Sequence, residues 1–297
     1  MKFVKGLALS LLSFLLFLSL SIFGLALTLS NTILNPDFVV SELDRLDISS
    51  LAKEFISEQI PPEVELMAEV LDDTIADLEP WIREQVNAGI YSSYDYLWGR
   101  SQSLCLVISL EPVKESLRDN LWEAFLQALP PELSGAPPAE VERYFNESYR
   151  QISEQIPPTF EFNESSLSPE VVAQLEQVRQ AIGYFQAGYR ALIGFILLLI
   201  LGIILINHQV KGATRGIGIT FLTCGVIGYL ETLAAKYLAG TQMAQLDIPS
   251  QLQGWLPQLI DDFLVPLEMF SIGLLAGGVG LIIVSFVYKP RQPSLPM

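Results

Sequence analysis

The chain has 297 residues, 51% of them hydrophobic, and its 33 acids outweigh its 17 bases to give a formal net charge of −16. The apolar residues fall into four long runs, which excludes an ordinary soluble domain. The acidic balance excludes nucleic acid as a partner, because a phosphate backbone is bound by bases.

The first run, 6–29, contains no charged residue and follows a short N-terminus, 1–5, with Lys2 and Lys5. At ~1.5 Å per residue it reaches ~36 Å, past a ~30 Å hydrocarbon layer. It is longer than the ~7–15-residue apolar stretch of a secretory signal, and no A-x-A site follows it. The expectation is an uncleaved anchor.

Residues 30–183 form a domain that is predicted to be mostly helical, with 28 acids and 9 bases. Asn35-Pro36-Asp37 is a helix start: Asn caps, Pro suits the first position and Asp suits the positive end of the dipole. The apolar spacing of Phe38, Leu43, Leu46, Leu51 and Phe55 continues this stretch to Pro61-Pro62, with a break near Asp47-Ile48-Ser49. A second stretch runs from Glu63 to about Leu78, and Glu79-Pro80 restarts it as far as Trp98. Gly99-Arg100-Ser101 is a turn. Leu104–Leu110 is short, apolar and partly β-branched, and reads as a strand. Glu111-Pro112 opens a helix to about Leu129, with Val113, Leu117, Leu121, Phe125 and Leu126 as its apolar face. A loop, 130–138, precedes a helix to about Ile156. Thr159–Phe162 alternates in polarity and reads as a second strand pairing with the first, an arrangement that needs helices packed on it. Ser168-Pro169-Glu170 starts a helix expected to run without a break into the second span.

The second span is 184–206, the third 216–238 and the fourth 263–288. An inner loop, 207–215, joins the second and third, and an interfacial loop, 239–262, joins the third and fourth. In that loop Met243, Leu246, Ile248, Leu252, Trp255, Leu256 and Leu259 suggest segments lying at the membrane surface, with Trp255 at headgroup level. The tail is 289–297. The segments 1–5, 207–215 and 289–297 hold six bases and no acid. Short basic segments stay cytoplasmic, so both termini are expected inside a plasma membrane and 30–183 outside.

Little in the outer domain suggests chemistry. His208, the single histidine, lies in the inner loop, which excludes a histidine-held zinc or a Ser-His-Asp triad outside. Cys105 and Cys224 are placed too differently for a disulfide. Asp73 and Asp77, beside Asp72, share a helical face but lack the glycine-containing loop of a calcium site. EQIPP occurs at 58–62 and again at 154–158, read as two independent helix stops. Asn146-Glu147-Ser148 and Asn163-Glu164-Ser165 fit the glycosylation triplet. No cofactor or metal is expected.

Inside the spans, ionisable residues carry a desolvation cost and therefore mark candidate sites. Counting ~1.5 Å per residue from the inner ends, Arg190 and Glu231 share one level in the outer leaflet, and Lys236 and Glu268 share another at its edge. The cluster reads either as an outward-opening polar pocket or, more plainly, as two interhelical pairs. Thr220, Cys224, Gly228, Glu231 and Ala235 share a face of the third span. Gly273, Ala276, Gly277 and Gly280 form a small-residue ridge on the fourth. The third and fourth spans are expected to pack closely, in preference to self-association through the ridge.

Leu34-Asn35-Pro36-Asp37-Phe38, with Tyr96–Arg100 and Leu106–Glu111, resembles a loosely defined set of prokaryotic multi-pass membrane proteins that share an LNPDF-like start to a large extracytoplasmic helical domain. The resemblance implies the layout, and no activity or catalytic residue. The expected function is a non-enzymatic envelope protein whose outer domain binds another envelope protein or senses the exterior. The alternatives are a transporter or channel-like accessory using Arg190, Glu231 and Glu268, and a membrane-associated hydrolase or lipid-modifying enzyme.

Overall fold

The computed structural model describes residues 2–46, 50, 65–207, 209–243 and 250–287. The fold is mainly α, with a single two-stranded sheet among the described residues. The helices are α1 (Lys2–Asn31), α2 (Pro36–Leu43), α3 (Glu65–Leu97), α4 (Glu111–Gln127), α5 (Pro138–Ser153), α6 (Pro169–Asn207), α7 (Val210–Met243) and α8 (Ser250–Val287). The strands are β1 (Cys105–Ser109) and β2 (Thr159–Asn163). The expected break at 47–49, the Pro61-Pro62 stop, the first EQIPP copy, His208, Leu246, Ile248 and the tail 289–297 lie outside the described residues.

The chain divides into two compact units, Val40–Gln180 and Met1–Val39 with Ala181–Met297. In the helical unit, 40–180, local sequence signals set most boundaries. Upstream, Asn35 Oδ1 accepts the Asp37 backbone N–H at 3.1 Å to start α2. Helix α3 is continuous through Pro80, where the sequence suggested a restart. A proline inside a helix loses a hydrogen bond and costs ~3 kcal/mol relative to alanine. Packing of Val70, Ile75 and Leu78 before it and Tyr96 after it offsets that loss. The helix ends at Gly99, whose φ of 71° is the left-handed conformation glycine adopts readily. The Arg100 N–H then reaches back to the Asp95 carbonyl at 2.8 Å.

Strands β1 and β2 pair antiparallel, with Leu106 opposite Phe162 and Ile108 opposite Phe160. The half-buried side of β1 lies on α3: a Cβ added to Gly89 would stand 3.2 Å from Leu106. Helices α4 and α5 join through an aromatic seam. Trp122 meets Phe145 edge-on at 4.9 Å, and Phe145 stacks on Tyr149 at 6.0 Å. Leu126, expected on the buried face of α4, is 49% exposed, and Ala124 takes the inner position. Val113, Leu117, Leu121 and Phe125 stay half-buried on the expected face, and only Leu126 falls off it.

Four helices are long and apolar enough to cross a bilayer, Phe3–Asn31, Pro169–Asn207, Val210–Thr241 and Gly254–Val287, and the second of them enters the membrane-spanning unit at Ala181. The chain is a multi-pass membrane protein. Leu16, Leu20, Ile196, Leu199, Ile203, Ile217 and Leu274 make its core, while Leu197, Leu201, Leu230 and Phe286 point outward. An apolar exterior of this kind suits lipid as solvent. Lys5 Nζ donates to the Asn207 carbonyl at 3.3 Å, so the start of α1 and the end of α6 lie together. A cation there also suits the negative end of a helix dipole. Much of the connection 239–262 is helical: α7 reaches Met243, and α8 begins at Ser250 and includes Leu252, Trp255, Leu256 and Leu259. Pro257 and Pro266 both lie inside α8 without ending it.

Candidate functional site

Helices α7 and α8 are in backbone contact, which sets the geometry of the polar groups they carry. A Cβ on Gly278 would stand 2.8 Å from the Gly218 carbonyl oxygen and 2.7 Å from Leu222 N. A Cβ on Gly225 would stand 2.8 Å from the Ser271 carbonyl oxygen. Residue 218 thus meets 278, and 225 meets 271. The pairings run in opposite directions with a step of seven on both helices, the spacing of a left-handed antiparallel pair. Thr232 and Ser285 continue the two series and are each 1% exposed.

The expected ridge on the fourth span falls on another face. Gly273, Ala276, Gly277 and Gly280 are exposed. A Cβ on Gly273 or Gly280 would meet nothing within 4 Å, and one on Gly277 would meet only Phe221 at 3.7 Å. Gly228 does face the partner, where a Cβ would lie 2.6 Å from Ser271 Oγ. The glycines closest to the partner's backbone are Gly218, Gly225 and Gly278. The signal that identifies them is the shared step of seven: Gly218, Gly225 and Thr232 against Ser271, Gly278 and Ser285.

Beyond this contact, Lys236 Nζ donates to Glu268 Oε2 at 2.8 Å, and Asp261 Oδ1 lies 4.0 Å from the same nitrogen. Both members of the short pair are about a quarter exposed. The two residues assigned to one level by sequence are therefore bonded. Arg190 and Glu231, assigned to the other level, are both exposed and have no ion pair with each other among the described residues. Glu231 instead stands at a cavity of about 180 Å³ between α1, α7 and α8. Its polar wall is Ser21, Cys224 and Ser271, and its apolar wall includes Leu20, Phe270 and Leu274. Ser21 Oγ is 3.7 Å from Cys224 Sγ. Ser21 and Cys224 were outside the expected cluster as site residues. What brings them in is the contact of α1 with α7, which helix spacing alone does not fix.

In the helical unit the polar groups hold structure. Arg83 donates to the Asp44 and Leu46 carbonyls at 2.7 and 3.1 Å and pairs with Glu79 at 2.8 Å. Asn120 Nδ2 donates to Asp77 Oδ2 at 2.9 Å, which ties α3 to α4 through one of the expected aspartates. The Arg179 guanidinium lies over the Tyr96 ring at 5.0 Å. Among the described residues no group of three His, Cys, Asp or Glu side chains converges on a point. The chain matches no protein-family model, no curated protein and no solved structure.

Proposed function

We propose that the protein is a non-enzymatic envelope protein of the plasma membrane, with both termini inside and residues 30–183 outside, whose helical unit binds a second envelope protein. The observation that carries this reading is the open end of the aromatic seam between α4 and α5. Tyr144 is 52% exposed yet stacks on Phe125 at 6.1 Å. A rigid, half-covered tyrosine is the kind of side chain that anchors protein interfaces, because little rotamer freedom is lost when a partner covers it. The partner has a basic rim, since 28 acids against 9 bases between residues 30 and 183 steer a positive surface to this one. The basic segments 1–5 and 207–215 support the inside assignment.

Photocrosslinking in intact cells tests the binding face. A benzophenone amino acid placed at Tyr144 is expected to give one defined protein adduct that weakens as salt is raised. The same probe at Glu142, also exposed, is expected to give none. Equal labelling from both positions, or none from either, rejects the proposal.

A further inference from the structure

The cavity between α1, α7 and α8 is one-sided in its hydrogen bonding. Ser271 Oγ donates to the Leu267 carbonyl at 2.8 Å, and Ser21 Oγ donates to the Phe17 carbonyl at 3.1 Å. With both hydroxyl protons committed to the helix backbone, the Cys224 thiol is left to donate to Ser21 Oγ across the 3.7 Å contact. What remains facing the space is lone pairs on two hydroxyl oxygens, together with the Glu231 carboxylate. Apart from these committed hydroxyls and the thiol, no donor side chain lines the cavity. Lys236, the cation nearest Glu231 in sequence, is already bonded to Glu268. Glu231 makes no hydrogen bond or ion pair among the described residues, and a carboxylate in a membrane span calls for a counter-charge.

The rest of the lining limits which cation fits. A calcium or magnesium ion needs about six oxygen ligands, whereas Leu20, Leu274 and the Phe270 ring fill the remaining wall. An apolar cavity of ~150 Å³ holds benzene, so about 180 Å³ accommodates a ring-sized body with one polar head. We infer that this cavity is a binding site for a small organic ammonium ion with an apolar body. The ammonium meets Glu231, Ser21 and Ser271, and the body lies against Phe270 and Leu274. The site is separate from the partner-binding face of the helical unit. The same head chemistry is available from a free amine or from an aminolipid.

Purified full-length protein in maltoside micelles tests this with benzylamine as the probe and benzyl alcohol as its neutral counterpart. Benzylamine is expected to raise the melting temperature in a saturable way while benzyl alcohol does not, a comparison within the wild type that needs no variant to fold. Glu231→Gln is expected to weaken benzylamine binding about tenfold or more, the effect of one charge-assisted contact. Ser271→Ala weakens it less. Competition by added phosphatidylethanolamine would identify the lipid as the natural source, and benzylamine binding that the lipid leaves unchanged would identify a free amine. Equal effects of benzylamine and benzyl alcohol, no effect of either, or unchanged binding in a folded Glu231→Gln protein would overturn the inference.

Discussion

Tyr149 is 9% exposed, and its hydroxyl donates to the Lys114 carbonyl at 2.5 Å. Burial pushes its pKa above 10.0, with Arg118 pulling back and Glu111 and Asp119 adding to the rise. In the unfolded chain the phenol ionises near 10.0, while the folded chain keeps the proton further up. Stability is therefore full below that pH and falls as pH rises above it, because only the unfolded state gains from ionising. Tyr149→Phe is expected to lose about 1 kcal/mol at neutral pH. It should also flatten part of the alkaline fall, to which Tyr94, raised by burial as well, contributes in the same direction. Melting curves at neutral pH and above pH 10.0 check both statements. Lys236 and Glu268 behave as a unit. Lys236→Leu alone should destabilise by about 1–2 kcal/mol, below the value for a fully buried pair because both groups touch solvent or lipid. Lys236→Leu with Glu268→Leu should recover most of that loss, and thermal melts of both variants in detergent decide it. At this scale helix rise made the Lys236–Glu268 pairing legible in the sequence. It did not show which way Arg190 and Glu231 turn about their axes, and they do not pair.

The α7–α8 contact leads to a paired comparison. Gly278→Leu drives a side chain into the α7 backbone and should disrupt the hairpin, lowering the melting temperature by several degrees or abolishing folded yield. Gly280→Leu points into open space and should melt like the parent. Equal damage from both would show that the seven-residue register is wrong. Pro80→Ala should stabilise the helical unit by up to ~3 kcal/mol, because it restores a hydrogen bond in the middle of α3; urea unfolding of the full chain in detergent measures this. The β1–β2 pairing was readable because alternating polarity and β-branched residues mark a strand wherever it lies. The small-residue face was harder to read because α8 carries glycines on more than one side. Gly277 and Gly278 differ by ~100° around the axis, so composition alone does not choose between them. Only the repeat shared with α7 does.

For the whole molecule, the four spans were legible because apolar length is a physical requirement of the bilayer. The helix ends were less so: α7 and α8 extend into a segment whose polar residues resembled a loop but are compatible with helix. Topology is open to a direct check with the two cysteines, Cys105 exposed and Cys224 buried. A membrane-impermeant maleimide added to intact cells should label the parent and fail to label Cys105→Ser. Labelling of Cys105 only after the cells are lysed would reverse the orientation. The Lys236–Glu268 bond also bears on biogenesis. A ribosome releases α7 first, so Lys236 reaches the insertion machinery before its counter-charge has been translated. Entering lipid then would leave a lone ammonium near the far headgroups. If α7 waits and crosses together with α8 as a preformed hairpin, the two charges enter already neutralised, and the glycine seam closes in the same step.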